Sequence, residues 1–506
     1  MTSALFAAPD DSPPAGAQRS LVLAGGGMRV AYQAGVLAAL EQAGLRFHHM
    51  DGSSGGTLNL SMLLGGQGSE EIAERWRTLH QRDFSSLFPV RDYTRSLRWP
   101  ALGSGRGLRE KVFPHLGIDP GLIRRATGTV GTYNVCNFAT KTAEVVEHPD
   151  IDLDLLVAAV SLPVLMPAVV RGGIPYTDAV WIRDSNIPEA VARGSDEIWL
   201  VWCIGNTPAY HNGLFRQYVH MIEMAANGSL LRDLGYVAAR WPQRAVRIHV
   251  IRPEHPIPLD PAYYFGQIDA ATLIDLGYQD ACLYLDDPAP MSAPWQPSIT
   301  RMREAPTGAS ARLTLTGPFT LAHPPPVGAA EQDPGGPTTI RLHLQVQART
   351  GGSAGRPREL SVAGDLTAPG LRPHTLIERG VAVLDPAAGL TLRLGWRTSA
   401  GPQSLLATPA ASGHGVTVTL HDDRDGRIIG TGTLPFAWRQ AAQALTSVHA
   451  TDAASCAQAA RHRTDLTVAL LRAAWRNASD QRPAGRGIAD RWAARRRQPH
   501  WPASAK

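Results

Sequence analysis

A chain of 506 residues is longer than one ordinary core and predicts two or three folded units. Hydrophobic residues at 44% against charged residues at 18% exclude general disorder. The net charge of +5 does not describe a basic surface, because seven basic residues against one acid fall between Gln481 and Lys506 and leave the rest close to neutral.

That tail sets Trp492 and Trp501 among arginines, a mixture suited to anionic headgroups or nucleic acid, but a solvated, disordered end is the favoured expectation. The cysteines at 136, 203, 282 and 456 lie far apart with no CxxC pair, so neither a disulfide framework nor a zinc site is indicated, and no cofactor or metal is expected. No apolar run reaches the roughly 18 residues a spanning helix needs, and no secretory leader pattern opens the chain. The resulting expectation is a cytoplasmic protein, with peripheral membrane contact left open.

In chain order, residues 1–18 are rich in Pro, Ala and Asp and read as a flexible leader. Leu21 to Ala24 form a short apolar strand that ends in Gly25-Gly26-Gly27, after which Val30, Ala34, Leu37 and Leu40 recur at helical spacing until Gly44. Leu45 to Met50 reads as a second strand, Asp51 to Gly56 as a tight turn, and Thr57 to Leu64 as a helix stopped by Gly65-Gly66. Thr132 to His148 predicts two paired strands, and Leu155 to Val160 a helical segment ended by Pro163. Ile198 to Ile204 and Ala245 to Ile251 have the length and branching of buried strands, separated by a helical stretch from Leu214 to Trp241. Such alternation predicts a three-layer α/β/α unit around a mainly parallel sheet.

Prolines at 288, 290, 294, 297 and 306 mark a domain boundary. Beyond it, Ala311 to Leu315, Thr339 to Val346, Leu390 to Trp396 and Gly415 to Leu420 alternate apolar and polar residues between Gly/Pro-rich turns. That pattern predicts a smaller antiparallel β unit, sandwich or barrel-like, closed by helices after Phe436. The expected division is 19–300, then 307–475, then a basic tail over 476–506. The β-rich unit shows no catalytic cluster; lipid presentation, partner binding and stabilisation all fit it.

Two glycine-rich turns carry the chemistry. Gly52-Ser53-Ser54-Gly55-Gly56 matches G-x-S-x-G, a strand-to-helix elbow that exposes a strained serine beside the positive end of a helix. Gly25-Gly26-Gly27-Met28-Arg29 also joins a strand to a helix, and consecutive residues without side chains let backbone N–H groups converge on an anion. For an ester hydrolase that anion is the oxyanion of the tetrahedral intermediate. Arg29 either reinforces the field or pairs with a carboxylate. A dinucleotide-binding unit fits poorly, because G-x-G-x-x-G spacing demands glycine where Val30 stands, and no phosphate-binding P-loop occurs.

The run Gly25-Gly26-Gly27-Met28-Arg29 with Tyr32-Gln33-x-Gly35-Val36-Leu37, followed by the elbow, resembles the start of the patatin-like phospholipase family. Ser161-Leu162-Pro163, Pro167, Gly173, Tyr176, Asp178, Ile187-Pro188-Glu189-Ala190 and Gly194-Ser195-Asp196-Glu197-Ile198 resemble its later block, so that the resemblance covers about residues 20–260. It implies a lipid acyl hydrolase with Ser54 as nucleophile, Asp178 as base, an oxyanion hole in the glycine loop, and a lipid or other acyl ester as substrate. Nucleic acid is not an expected partner. Two positions depart from the family pattern, which has glycine at Val30 and at Ala179; a positive φ after Asp178 would strain alanine by about 1 kcal/mol. The departures motivate a rival reading, an inactive lipid- or partner-binding protein on the same fold.

A histidine triad is the competing mechanism. His48 and His49 fall on the strand before the elbow, where a structural role is expected, and His211, His220, His249 and His255 have no motif around them. Asp184 and Asp196 are expected to cap helices or face solvent. Residues 85–116, with Trp99, Leu102 and Phe113, read either as a lid or as core.

Overall fold

The computed structural model describes residues 4–6, 18–84, 101–204, 210, 212–254, 257, 268–295, 308–322, 338–349, 357–385, 389–410, 415–435, 438–451 and 456–479. The chain divides into two compact units, Met1–Ala305 and Pro306–Lys506.

The first unit is built on β1 (Arg19–Leu23), α1 (Ala31–Gln42), β2 (His49–Gly52), α2 (Gly56–Leu64) and α3 (Ser69–Thr78). There follow β3 (Val130–Asn137), β4 (Thr142–Glu147), α4 (Leu153–Ala159), β5 (Val169–Arg171) and β6 (Ile174–Asp178). The unit continues with α5 (Ile187–Ala192), β7 (Glu197–Val201), α6 (Leu214–Arg240), β8 (Arg247–Ile251) and α7 (Ala270–Asp286). One eight-stranded sheet runs β5-β6-β3-β2-β1-β7-β8, with β4 also on β3. β3, β2, β1, β7 and β8 are mutually parallel, while β4, β5 and β6 join antiparallel.

Alternation along the central strands explains their apolar composition. Val22, Ala24, Ile198, Leu200, Ile248 and Val250 share one core with Ala190 of α5 and Ala226 and Leu230 of α6. Leu21 and Leu23 are equally buried and point to the opposite face of the sheet. Helices α1, α3 and α7 pack against one another as a second group.

β3 positions the site. Its edge toward β4 is paired without a break from Thr132 to Asn137. A strand has two edges, so β2 and β6 share the other one in succession: Gly52 lies opposite Tyr133, and Asp178 opposite Val135. The end of β2, where the elbow begins, and the end of β6 are thereby brought side by side.

Several expectations shift in detail. The second strand starts at His49 rather than Leu45, because Phe47 is already engaged: its N–H donates to Leu5 O, and it bridges to Phe6. Leu5 and Phe6 are buried, so this part of the leader is docked and not free. Phe113 is a core residue, whereas Leu102 is 51% exposed. Trp99, with the rest of residues 85–100, and the tail from 480 onward lie outside the described residues.

The second unit is an antiparallel barrel. β9 (Gly308–Leu321), β10 (Thr338–Arg349), β11 (Arg358–Thr367), a short β12 (Thr375–Leu376), β13 (Arg379–Asp385), β14 (Gly389–Thr398), β15 (Gly401–Pro409), β16 (Val416–Asp422) and β17 (Ile428–Leu434) follow in order. Apart from β12, which pairs only with β11, each strand pairs with the next, and β17 returns to pair with β9. Closure of this kind removes sheet edges. β18 (His449–Thr451) adds to β9 between α8 (Trp438–Ser447) and α9 (Cys456–Ser479).

Alternate residues such as Leu313, Leu315, Leu342, Leu344, Leu392 and Leu394 fill one cluster that also takes in Leu466 and Leu470 of α9. Among the described residues no helix is long and apolar enough to cross a membrane. Leu392→Ala removes a fully buried side chain from this cluster. It is expected to lower stability by about 2–5 kcal/mol, read as a shift in the urea unfolding midpoint.

Candidate active site

The elbow is a consequence of its glycines. β2 ends at Gly52 and α2 starts at Gly56, leaving Ser53, Ser54 and Gly55 to reverse the chain. The reversal puts Ser54 at φ 49, a left-handed conformation that L residues hold only when their surroundings enforce it. Enforcement comes from hydrogen bonds on both sides: Ser53 N–H donates to Leu23 O, Thr57 N–H to Ser54 O, and Ser53 Oγ to Arg183 O.

Ser54 Oγ donates to Asp178 Oδ2 at 2.6 Å. The other oxygen, Oδ1, accepts from Val180 N–H at 2.9 Å, and Asp178 N–H donates to Ser161 O, so the carboxyl is oriented by its own backbone. Both residues are buried, Asp178 completely. Burial is the main influence on this carboxyl and pushes it up to about 7, against the lowering effect of the Ser54 and Val180 donors.

Beside the serine, the turn Gly27–Val30 precedes α1. Its first internal bond runs from Arg29 N–H to Gly26 O. The N–H groups ahead of that bond, those of Gly26, Gly27 and Met28, therefore have no acceptor within the turn and form the open end of the helix. Gly25 differs: its N–H is engaged by Asp184. Arg29 is buried and ion-pairs with Glu223 of α6 at 3.3 Å, while its Nε donates to Gly26 O. It thus braces the loop from behind.

Both departures from the family pattern are absorbed locally. Ala179 is buried and does not take a positive φ, whereas Ser54 does. Val30 is accommodated because Gly55 has no side chain: a Cβ there would lie 2.7 Å from Val30 Cγ1.

Among the described residues the Ser54 hydroxyl bonds to Asp178 and to no histidine. His49 is buried between Ser20 and Thr132, which bond its ring nitrogens at 2.9 and 2.8 Å, and burial lowers it to about 3. His220 pairs with Glu223, and His249 stacks on Trp199; His211 and His255 lie outside the described residues. Among the described residues no group of three or more His, Cys, Asp or Glu side chains is arranged to hold a metal ion.

Two further buried acids complete the interior. Asp51, at the end of β2, is fully buried, receives bonds from Thr132 and Asn134, and is raised by burial to about 7. Asp184, expected at a cap or in solvent, is also fully buried. The cap of α5 is instead the Asn186 side chain, which accepts from Glu189 N–H. Asp196 pairs with Arg244 at 2.5 Å. Nothing in the local sequence distinguishes a buried aspartate after a strand from an exposed one.

Residues 21–193 match the family model described as Patatin-like phospholipase, a span that includes the glycine loop, the elbow, Asp178 and Asp184. No curated protein matches the chain significantly.

The raised Asp178 carboxyl has a consequence for stability. An unfolded aspartate ionises near 3.8 and this one near 7, so between those values the folded chain retains a proton that the unfolded chain releases. Stability therefore falls as pH rises through this window. Asp178→Asn, which cannot ionise, is expected to gain in Tm over the parent chain progressively from pH 4 to pH 7 and to keep a constant advantage above it.

Proposed function

We propose that the first unit hydrolyses carboxylic esters of lipids through a Ser54 acyl-enzyme, with Asp178 as the base. The observation that carries this reading is the 2.6 Å hydrogen bond from a buried, left-handed Ser54 at a strand-to-helix elbow to the Asp178 carboxyl. The match to a family of ester hydrolases over the same residues supports it.

In the proposed cycle Asp178 takes the hydroxyl proton as Ser54 Oγ attacks the ester carbonyl carbon. The negative charge moves to the carbonyl oxygen, where the open N–H groups of Gly26, Gly27 and Met28 receive it, each worth several kcal/mol when well aimed. Collapse expels the alcohol, which takes the proton from Asp178. Water then attacks the acyl-serine by the same route, delivering its proton through Asp178 to Ser54 and releasing the carboxylic acid.

An apolar acyl group is favoured by the surroundings of the base. Ser161, whose carbonyl holds Asp178 N–H, leads into Leu162-Pro163-Val164, and Val164 is 60% exposed. The exposed Leu102 donates its N–H to Val164 O, which sets a second exposed apolar residue beside it.

The test is hydrolysis of p-nitrophenyl butyrate and of phosphatidylcholine vesicles by the full chain. Ser54→Ala and Asp178→Asn are each expected to lower kcat/KM by at least about a thousandfold while remaining folded. For the parent chain, kcat/KM is expected to rise with pH through a midpoint near 7, as Asp178 becomes a base. Inactivity of the parent chain on both substrates sinks the hydrolase reading in favour of a binding role; activity that survives Ser54→Ala removes the assigned nucleophile.

A further inference from the structure

The loop between β6 and α5 brings a second carboxyl to the site, one that the cycle above does not use. Both oxygens of Asp184 accept from Gly25 N–H, at 3.1 and 3.2 Å. The fit is close: a Cβ on Gly25 would lie 2.1 Å from Asp184 Oδ1 and 2.9 Å from Ser54 Cβ. Gly25 is thus wedged between this acid and the nucleophile. Its carbonyl is held from the other side by the Cys203 thiol at 3.3 Å. Fixed through both peptide groups, Gly25 sets the direction in which the chain leaves β1, and with it the aim of the next three N–H groups.

The charge that Asp184 carries decides whether this anchor helps or harms. Facing it are Asp178 at the end of β6, Asp51 on β2 and Arg29 on the turn before α1, with the Cys203 thiol behind Gly25. The single cation among them is already shared with Glu223. Among the described residues Asp178 has two donors to stabilise its anion, Ser54 O–H and Val180 N–H, whereas Asp184 has the Gly25 N–H. Of two neighbouring buried carboxyls, the one with fewer donors keeps its proton longer. Burial and the Asp178 charge act in the same sense, holding Asp184 well above the usual carboxylate range. An ionised Asp184 would also oppose an oxyanion forming on the adjoining loop.

We propose that Asp184 is a positioning residue that works in its protonated form, fixing the glycine loop through Gly25 while adding no second negative charge to the site. The proposal rests on the hydrolase reading for its kinetic consequences, but not for its protonation state.

Kinetically, the parent chain is expected to lose kcat at high pH as Asp184 ionises. Asp184→Asn keeps an acceptor for Gly25 N–H and cannot ionise, so it is expected to retain activity within about threefold at pH 8 and to lose the alkaline decline. Asp184→Ala removes the anchor and is expected to cost about 10–100-fold in kcat with KM little changed. Cys203→Ala and Cys136→Ala are the controls for the two thiols nearby, one at Gly25 and one beside Asp178, and each is expected to keep the decline. An alkaline limb that persists unchanged in Asp184→Asn overturns the proposal, as does full activity in Asp184→Ala.

The second readout needs no turnover. Infrared difference spectra of the parent chain against Asp184→Asn at pH 8 are expected to show a protonated carboxylic acid C=O band belonging to Asp184. Absence of that band overturns the proposal even where hydrolysis is never seen, and its presence in an inactive protein separates this inference from the hydrolase reading.

Discussion

The arrangement on which the site depends is the shared edge of β3. Because β4 occupies one side of that strand throughout, β2 and β6 meet end to end on the other, at Tyr133 and Val135. One strand enters parallel and the other antiparallel. Their ends therefore point toward each other, and the turn after Gly52 delivers Ser54 to the carboxyl of Asp178 without any long side chain having to reach. Short side chains on abutting strand ends lose little rotamer freedom in meeting, which is an economical way to hold a 2.6 Å contact.

Burial then gives the contact its chemistry at a cost in stability. Asp51, Asp178 and Asp184 are all fully buried within one small region. Each is served by neutral donors: Thr132 and Asn134 for Asp51, Ser54 and Val180 for Asp178, Gly25 for Asp184. Neutral donors orient a carboxyl without fixing its charge, so burial prevails and all three are raised. A salt bridge to Asp178 would instead favour its charged form and lower its basicity. The one buried cation of the loop, Arg29, is held by Glu223 and Gly26 O.

Much of the first unit was legible in the sequence because its signals are local. The strand, glycines and helix from Leu21 to Leu40, the elbow, and the separation of an α/β unit from a β-rich one all rest on spacing within a few dozen residues. What was not legible is non-local. The hairpin of β5 and β6 has no alternation to announce it, with Ile174, Pro175 and Tyr176 all half-buried, and Asp178 was reached through family resemblance alone. Closure of the barrel depends on β17 meeting β9 across more than a hundred residues, so sandwich and barrel read alike. The docking of Leu5 and Phe6 beside Phe47 likewise has no local sign.

Asp184 and Val30 show the same limit from two directions. An aspartate before Ser-Asn-Ile-Pro looks like a helix cap, yet Asn186 caps the helix and the aspartate turns inward to the glycine loop. A valine in place of a loop glycine looks like damage to an oxyanion hole, yet it fills space left free by Gly55. Ala179 needs no left-handed backbone; Ser54 does, and two flanking backbone bonds and a carboxyl hold it there. The turn after Asp178 thus departs from the family pattern without disturbing the contact between Ser54 and Asp178.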